Sequence, residues 1–273
     1  MRDFQHPGRS PVMARNAMAA TSHPLATAAA LSVLDRGGNA VDAAITAVAV
    51  QCVVEPHMTG IGGDCFILIA PEGSDDIIAY NGSGRAPAGA TAEKMESLGI
   101  STIEPNSPHA VTIPGAVEAW ARVLADHGTW ALADVLAPAI AYARDGYPIH
   151  HRVAFDWVED GSQLTHDPDT ARVFLPEGRV PDAGSLHRQP DLARTLETIA
   201  AKGADGFYQG AVAEDIVEKL NALGGLHTMD DMAAAGGEYV TPIHTDYRGF
   251  RIFECPPNGQ GLCALEILNI IEG

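Results

Sequence analysis

Arg85 is the residue whose type and position most favour chemistry, because it lies in the segment NGSGRAP, residues 81–87, directly after a predicted strand. Loops at strand ends often carry substrate-binding groups. A guanidinium can hold a carboxylate through two parallel hydrogen bonds. We therefore predict that Arg85 binds a carboxylate of the substrate. The alternative is an arginine with a surface or structural role.

Three other patterns invite a chemical interpretation but are better explained by structure. The segment GIGGD, residues 60–64, is glycine-rich like a phosphate cradle, but no Gly-Lys-Ser/Thr follows and Asp64 has the wrong sign. It is predicted to be a structural turn. His150 and His151 are adjacent, and adjacent helix residues do not face one site, so surface histidines are predicted rather than a metal pair. His57 is predicted to be a turn or core residue rather than a catalytic base.

The common nucleophile motifs are not fulfilled. Ser83 lacks the first glycine of Gly-x-Ser-x-Gly, and a serine three residues before a lysine is missing at Lys94, Lys202 and Lys219. An N-terminal nucleophile must come first in the mature chain, since it uses its own α-amine as base, whereas this chain begins with Met1. No residue of the chain is therefore assigned a catalytic role.

The cysteines give no sign of a metal site. Cys52, Cys65, Cys255 and Cys263 form no Cys-x-x-Cys pair and have no histidine at metal-ligand spacing. Buried free thiols are predicted, which fit a reducing compartment. The sequence indicates neither a metal nor an organic cofactor.

Composition bounds the class of protein and its partners. The 273 residues can bury a sizeable core in one or two domains, and the formal net charge of −18 argues against nucleic acid and anionic membranes as partners. The first residues, MRDFQHPGRSPVMARN, lack the apolar stretch of a signal peptide. No apolar run is long enough to span a bilayer. We therefore expect a soluble, cytoplasmic protein.

The elements that must position Arg85 begin with residues 37–66. A helix over 40–54 is apolar on nearly every side and is predicted to lie between layers. Asn39 can cap it, Asp42 suits its first turn, and Pro56 ends it. The residues 65–70 follow as a strand without alternation, so both of its faces are predicted to be buried. A turn at 71–75 leads to a returning strand at 77–80.

The rest of the chain is predicted to be rich in helix and poor in strand. Residues 81–112 read as irregular, and two strands flank a turn at 247–249. Ser22 can cap a helix that runs to about Arg36. Further helices are predicted after Pro114, at 132–144, near 150–160, 190–202 and 212–222, at 230–235 and at 262–271. This is an α/β (α+β) chain with too few strands to cover its apolar helix faces, so it looks like part of a larger sandwich.

The segment 37–66 resembles the large-subunit signature of the gamma-glutamyltranspeptidases, which are N-terminal-nucleophile hydrolases. Other stretches resemble the same family and follow in its order, so that the likeness covers nearly the whole chain from about Ala20. These stretches are TSHPLA (21–26), IPGAV (113–117), YARDG (142–146), FYQG (207–210), GGL (224–226), DYRG (246–249) and the region from Pro256 to Ile270.

The resemblance implies a four-layer αββα sandwich, of which this chain supplies a helix-rich part. Residues 1–273 would be a single incomplete domain, most of the large subunit, with the remaining strands and a Thr nucleophile C-terminal to it. It implies autoprocessing and a partnership with the protein's own small subunit. It also implies acyl transfer or hydrolysis of small γ-glutamyl compounds such as glutathione. A homo-oligomer is left open.

The resemblance also bears on Arg85. In the transpeptidases an arginine in this loop holds the α-carboxylate of the glutamyl group, and alignment on Ala86 and Pro87 places that arginine at Ser83. Here the arginine comes two residues later. This shift leaves open a glutaryl- or cephalosporin-type acylase of the same fold. A non-catalytic relative that binds carboxylates is a further alternative.

Overall fold

The computed structural model describes residues 10–159 and 161–272, apart from the side chain of Ser162. Besides a short 3-10 helix at Pro108–Ala110, its helices and strands have the following bounds. In chain order they are α1 (Pro24–Asp35), α2 (Ala40–Val54), β1 (Cys65–Ile69), β2 (Ile78–Gly82), α3 (Ala92–Ser97), α4 (Ala116–His127), α5 (Leu132–Asp145), β3 (Tyr147–Pro148), α6 (His151–Glu159), α7 (Gly161–Leu164), α8 (Pro168–Phe174), β4 (Leu186–His187), α9 (Pro190–Lys202), α10 (Asp205–Tyr208), α11 (Ala211–Ala222), α12 (Met229–Ala233), β5 (Glu238–Val240), β6 (Ile243–Tyr247), β7 (Phe250–Glu254) and α13 (Gly261–Glu272).

The described residues divide into two compact units. The first contains the chain up to Gly60 together with His127–Ala201, and the second contains Ile61–Asp126 and the residues from Lys202 onward. No helix in the described part of the chain is both long and apolar enough to cross a membrane.

The core of the first unit is built around α2. Asn39 caps this helix as predicted, since its side chain accepts hydrogen bonds from the backbone N–H groups of Val41 and Asp42, and the Asp42 carboxylate accepts one from the backbone N–H of Asn39. The helix packs against α1 and α5. Its buried positions are spread around its circumference, which confirms the prediction of a helix enclosed by neighbours.

The start of α1 differs from the prediction. His23 rather than Ser22 is the N-cap, and its Nδ1 accepts a hydrogen bond of 3.1 Å from the backbone N–H of Leu25. Ser22 is unavailable because its hydroxyl donates to the Glu55 carboxylate and accepts from the side-chain amide of Gln51. Ser22, which local propensity favours as the cap, is thus hydrogen-bonded to Glu55, a residue distant in the sequence.

His23 is expected to make stability depend on pH. Burial lowers the pKa of His23 from 6.5 to about 4, against an opposing effect of Glu55. The pKa of His23 is therefore lower in the folded state than in the unfolded state. The stability that depends on neutral His23 is complete above pH 6.5 and is lost as the pH falls towards 4. Thermal unfolding across that range should show the loss.

His23→Asn provides the matched variant for that measurement. Its side-chain oxygen can still accept from Leu25, but the side chain does not titrate. We expect the melting temperature of this variant to fall less between pH 6.5 and pH 4 than that of the unchanged protein. Equal falls in the two proteins would show that His23 is not the titrating group.

The second unit contains an antiparallel sheet in the order β1-β2-β5. In its register Ile67 lies opposite Tyr80, and Tyr80 lies opposite Tyr239. The β1–β2 hairpin was predicted, with a shorter turn than the structure has, whereas β5 was not. The strands β6 and β7 form a separate hairpin against α13. Its two-residue turn has positive φ angles at Arg248 and Gly249, which suits the twist of a hairpin.

Burial around β1 corrects two expectations. Phe66 and Leu68 are each 42% exposed, so the prediction that both faces of this strand are buried is wrong. A run of apolar residues does not show by itself which faces are covered, and the described residues cover one face of β1. The four cysteines, all of them described, form no disulfide, but Cys263 is exposed and Cys65 is half-buried, so burial holds only for Cys52 and Cys255.

The region 81–112 is more ordered than predicted. It contains α3, whose first turn is capped by Thr91, because the threonine hydroxyl accepts a hydrogen bond from the backbone N–H of Lys94. This helix has no buried residue. The apolar periodicity that reveals a packed helix is therefore missing from the sequence here.

Candidate substrate-binding site

The loop after β2 borders a cavity of about 330 Å³ in the second unit. Three short segments enclose it: the loop that carries Arg85, the turn before α4, and the end of α12 with the residues after it. The lining residues are Ser83, Gly84, Arg85, Ala86, Ala88, Ile113, Pro114, Gly115, Asp231, Ala234, Ala235 and Gly236.

The side chain of Arg85 is exposed, whereas its backbone is held by a hydrogen bond. Its side chain is 85% exposed, and its guanidinium lies 3.9 Å from the carboxylate of Glu238, which is also exposed. An exposed ion pair of this length contributes little, so the guanidinium can exchange Glu238 for a carboxylate of a ligand. The Arg85 carbonyl, by contrast, accepts a 2.9 Å hydrogen bond from the backbone N–H of Ile113.

Two glycines allow the backbones around the cavity to approach closely. A Cβ at Gly84 would lie 1.6 Å from the carbonyl oxygen of Ile113, and one at Gly115 would lie 2.1 Å from that of Gly82. Such contacts exclude any side chain unless the backbone moves. The loop that carries Arg85 is therefore held against the turn before α4 by main-chain contacts.

Asp64 is bonded to the beginning of the loop. Its carboxylate accepts hydrogen bonds from the Ser83 hydroxyl at 2.7 Å and from the backbone N–H of Gly84 at 2.8 Å. The side-chain amide of Asn258 donates to the same hydroxyl at 2.7 Å. The glycine-rich segment before Asp64 serves as the predicted turn, since the Gly63 carbonyl accepts from the backbone N–H groups of residues 115 and 116.

Asp231 accepts a hydrogen bond from the part of the loop that follows Arg85. Its carboxylate accepts from the backbone N–H of Ala88 at 2.9 Å and forms a capping box with Thr228 at the start of α12. Burial alone would raise the pKa of Asp231, but the hydrogen bonds from Thr228 and Ala88 hold it below its usual range. The sequence predicts a short helix after Thr228, which is a plausible cap, but it gives no sign of the contact between Asp231 and Ala88.

Glu118 holds the other walls of the cavity together. Its carboxylate accepts from the Tyr80 hydroxyl at 2.7 Å and from the backbone N–H of Gly237 at 2.9 Å. The Tyr208 hydroxyl accepts from the backbone N–H of Glu118 and donates to the carbonyl of Pro114. Burial, together with the bond to Glu118, raises the pKa of Tyr80 well above its usual value. This tyrosine therefore stays a protonated donor.

The histidines that were considered for chemistry lie in the first unit. The Trp157 indole N–H donates to His57 Nδ1 at 3.0 Å, so Nε2 carries the proton and donates to Asp156 at 3.2 Å. With both nitrogens bonded, His57 has the structural role predicted for it. His151 is exposed and His150 is half-buried. Across the described residues, no group of three or more His, Cys, Asp or Glu could hold a metal ion.

Comparisons with known proteins agree with this fold and with the sequence resemblance. A family model for gamma-glutamyltranspeptidase matches residues 26–273. A glutathione hydrolase-like proenzyme of Bacillus subtilis strain 168, YwrD, is 39% identical over 96% of this chain and 50% of its own length. The chain spans about half the length of the curated relatives it matches.

Two solved structures show the same likeness. A cephalosporin acylase from Bacillus halodurans has a TM-score of 0.91 and 41% identity, over 99% of this chain and 52% of that one. The gamma-glutamyltranspeptidase of Helicobacter pylori has a TM-score of 0.88 and 31% identity, over 96% of this chain and 76% of that one. The predicted fold class, a mixed helix and sheet fold of the N-terminal-nucleophile hydrolase kind, is confirmed. The chain belongs to the gamma-glutamyltranspeptidase family.

Proposed function

We propose that this chain is most of the large subunit of an enzyme that transfers or hydrolyses the acyl group of small γ-glutamyl amides such as glutathione. Arg85 would bind the carboxylate of the acyl group. Membership of the family supports the reaction class. The observation that carries the assignment of Arg85 is an arginine whose side chain is 85% exposed, on a fixed loop beside a cavity.

The nucleophile is proposed to come from outside this chain. Relatives that match it carry names that describe them as proenzymes, and the chain spans about half of their length. We expect cleavage of a precursor to expose a Thr at the start of a small subunit. Its hydroxyl oxygen would attack the amide carbon and its α-amine would accept the proton. The amine leaving group would depart protonated, and water or an amino acid would then take the acyl group.

A second candidate is an acylase for glutaryl-type side chains. The likeness to the Bacillus halodurans cephalosporin acylase favours it. The hydrogen bonds of Ser83 favour it as well. Ser83 occupies the position that aligns with the transpeptidase arginine, and its hydroxyl is hydrogen-bonded to Asp64 and Asn258. A glutaryl group keeps a terminal carboxylate for Arg85 but has no α-amine.

The full-length protein should be assayed with γ-glutamyl-4-nitroanilide and glutaryl-4-nitroanilide in parallel, with mass spectrometry of the purified product. We expect two fragments from one precursor and release of nitroaniline from the γ-glutamyl compound. Release from the glutaryl compound alone would favour the acylase. An uncleaved protein that releases neither product would contradict both activities and would favour a non-catalytic relative that binds carboxylates.

Arg85→Ala is expected to raise KM for the accepted donor by roughly 30-fold or more, since charge-assisted hydrogen bonds to a carboxylate are lost. Arg85→Lys should restore only part of this, because an ammonium group cannot reproduce a bidentate contact. The value of kcat should change little. Steady-state kinetics on the full-length protein provide the measurement.

Arg251→Ala is the matched control for this variant. Arg251 is another exposed arginine of the second unit, and its guanidinium lies 3.6 Å from the Asp246 carboxylate. Its removal should leave KM unchanged. If Arg85→Ala behaves like Arg251→Ala, then Arg85 does not contact the substrate.

A further inference from the structure

We propose that Asp64 is a positioning residue that places Arg85 for substrate binding, an inference that rests on the function proposed above. The carboxylate of Asp64 accepts from the Ser83 hydroxyl at 2.7 Å and the Gly84 backbone N–H at 2.8 Å. These are the two residues directly before Arg85. Asp64 therefore fixes the direction in which the chain enters position 85.

Asp64 acts on the entry side of the loop together with Asn81, whose side-chain oxygen accepts a hydrogen bond from the backbone N–H of Ser83 at 3.0 Å. On the exit side, Ala88 donates its backbone N–H to Asp231, and the carbonyl of Arg85 itself accepts from Ile113. With these bonds the backbone is fixed on both sides of Arg85, whose side chain remains 85% exposed. Fixing a binding group before the ligand arrives lowers the entropic penalty of association.

A carboxylate side chain at position 64 suits this role better than the amide of an asparagine would. Asp64 uses one oxygen for the Ser83 hydroxyl and the other for the Gly84 N–H. An asparagine has a single acceptor oxygen and must present its amino group to the other partner. The Ser83 hydroxyl already accepts from the side-chain amide of Asn258. Asp64→Asn should therefore weaken the arrangement, and Asp64→Ala should abolish it.

A double-mutant cycle tests whether Asp64 acts through Arg85. KM for the accepted donor is measured on the full-length protein carrying Asp64→Ala, Arg85→Ala or both. We expect Asp64→Ala to raise KM roughly 5- to 20-fold with little change in kcat, and Asp64→Asn to lie between it and the unchanged protein. In the Arg85→Ala background, Asp64→Ala should have no further effect on KM.

Three controls distinguish a loss of substrate binding from a general effect of charge and from unfolding. Asp75→Ala removes the same charge at the exposed turn of the β1–β2 hairpin and should leave KM unchanged. If Asp64→Ala does not fold, Asp64→Asn and Ser83→Ala carry the test, and both should raise KM. Melting temperatures of all variants identify losses that come from unfolding.

The outcomes distinguish this inference from the proposed function. If Arg85→Ala raises KM but Asp64→Ala does not, or if the two effects multiply independently, the role of Asp64 is overturned and that of Arg85 stands. If Arg85→Ala leaves KM unchanged, both assignments are overturned. A rise with Asp64→Ala that vanishes in the Arg85→Ala background supports both.

Discussion

Replacing Asp42 by Ala is expected to lower the free energy of unfolding by about 3–5 kcal/mol, because it breaks a buried network around a charge. The Asp42 carboxylate is fully buried. It accepts from the backbone N–H groups of Asn39, Thr129 and Trp130 at 2.8, 2.8 and 3.1 Å, and from the Thr129 hydroxyl at 2.6 Å. Alanine would leave all four donors without their acceptor.

The same network sets a pH dependence for Asp42. Burial alone would raise the pKa of this carboxyl, but the hydrogen bonds from Thr129, Asn39 and Trp130 outweigh burial and lower it. Because the folded-state pKa is depressed, the stabilisation is complete above the unfolded value of 3.8 and is lost as the pH falls below it. Asp42→Ala should therefore be least damaging in acid.

Urea unfolding of the protein at neutral pH measures the effect of Asp42→Ala. Asp134→Ala is the matched control, since Asp134 is an exposed acidic residue in the first turn of α5. That control should lose less than about 1 kcal/mol. A loss of similar size in the two variants would mean that the buried network does not hold the unit together.

Gly84→Ala is expected to have the second large effect, on both stability and substrate binding. The new Cβ would lie 1.6 Å from the carbonyl oxygen of Ile113, a main-chain atom that no rotamer change can move. Ile113 is itself bonded through its N–H to the carbonyl of Arg85. Relief of the clash must therefore displace Arg85. We expect a loss of about 3 kcal/mol or more in the free energy of unfolding.

Gly89→Ala is the control for this substitution, because its Cβ would meet Leu226 at an ordinary contact distance of 3.7 Å. We expect it to change stability by less than about 1 kcal/mol. Thermal unfolding and KM for the accepted donor are measured on both variants of the full-length protein. Gly84→Ala should raise KM as much as Arg85→Ala does. Wild-type values for Gly84→Ala would rule out the close packing described for the loop.

Local signals in the sequence predicted the elements whose cause is local. Asn39 and Asp42 indicated the cap of α2, and the Arg248-Gly249 pair lies in the predicted turn. What the local signals missed depends on distant partners. Asp42 also binds residues 87 and 88 positions away. The short strand β5 is recognisable only once β2 lies beside it.

In the candidate site, too, only the residue with a local signal was predicted. Arg85 was predicted from its place after a strand and from its chemistry. In the sequence, Asp64 only counts against a phosphate cradle in residues 60–64, whereas in the structure its partners are the Ser83 hydroxyl and the Gly84 N–H. Its role could not be read from the sequence because it depends on the hairpin bringing two segments together. The single incomplete domain over 1–273 and the cytoplasmic location stay predictions.

We expect the guanidinium of Arg85 to bind a carboxylate of the acyl donor, a claim that can be tested with two donors, one with and one without this carboxylate. The full-length protein and its Arg85→Ala variant are compared on the accepted 4-nitroanilide donor and on the same donor with the carboxylate converted to a carboxamide. The unchanged protein should prefer the carboxylate in kcat/KM by roughly 30-fold or more, and Arg85→Ala should lose nearly all of that preference. An undiminished preference in Arg85→Ala would contradict the claim.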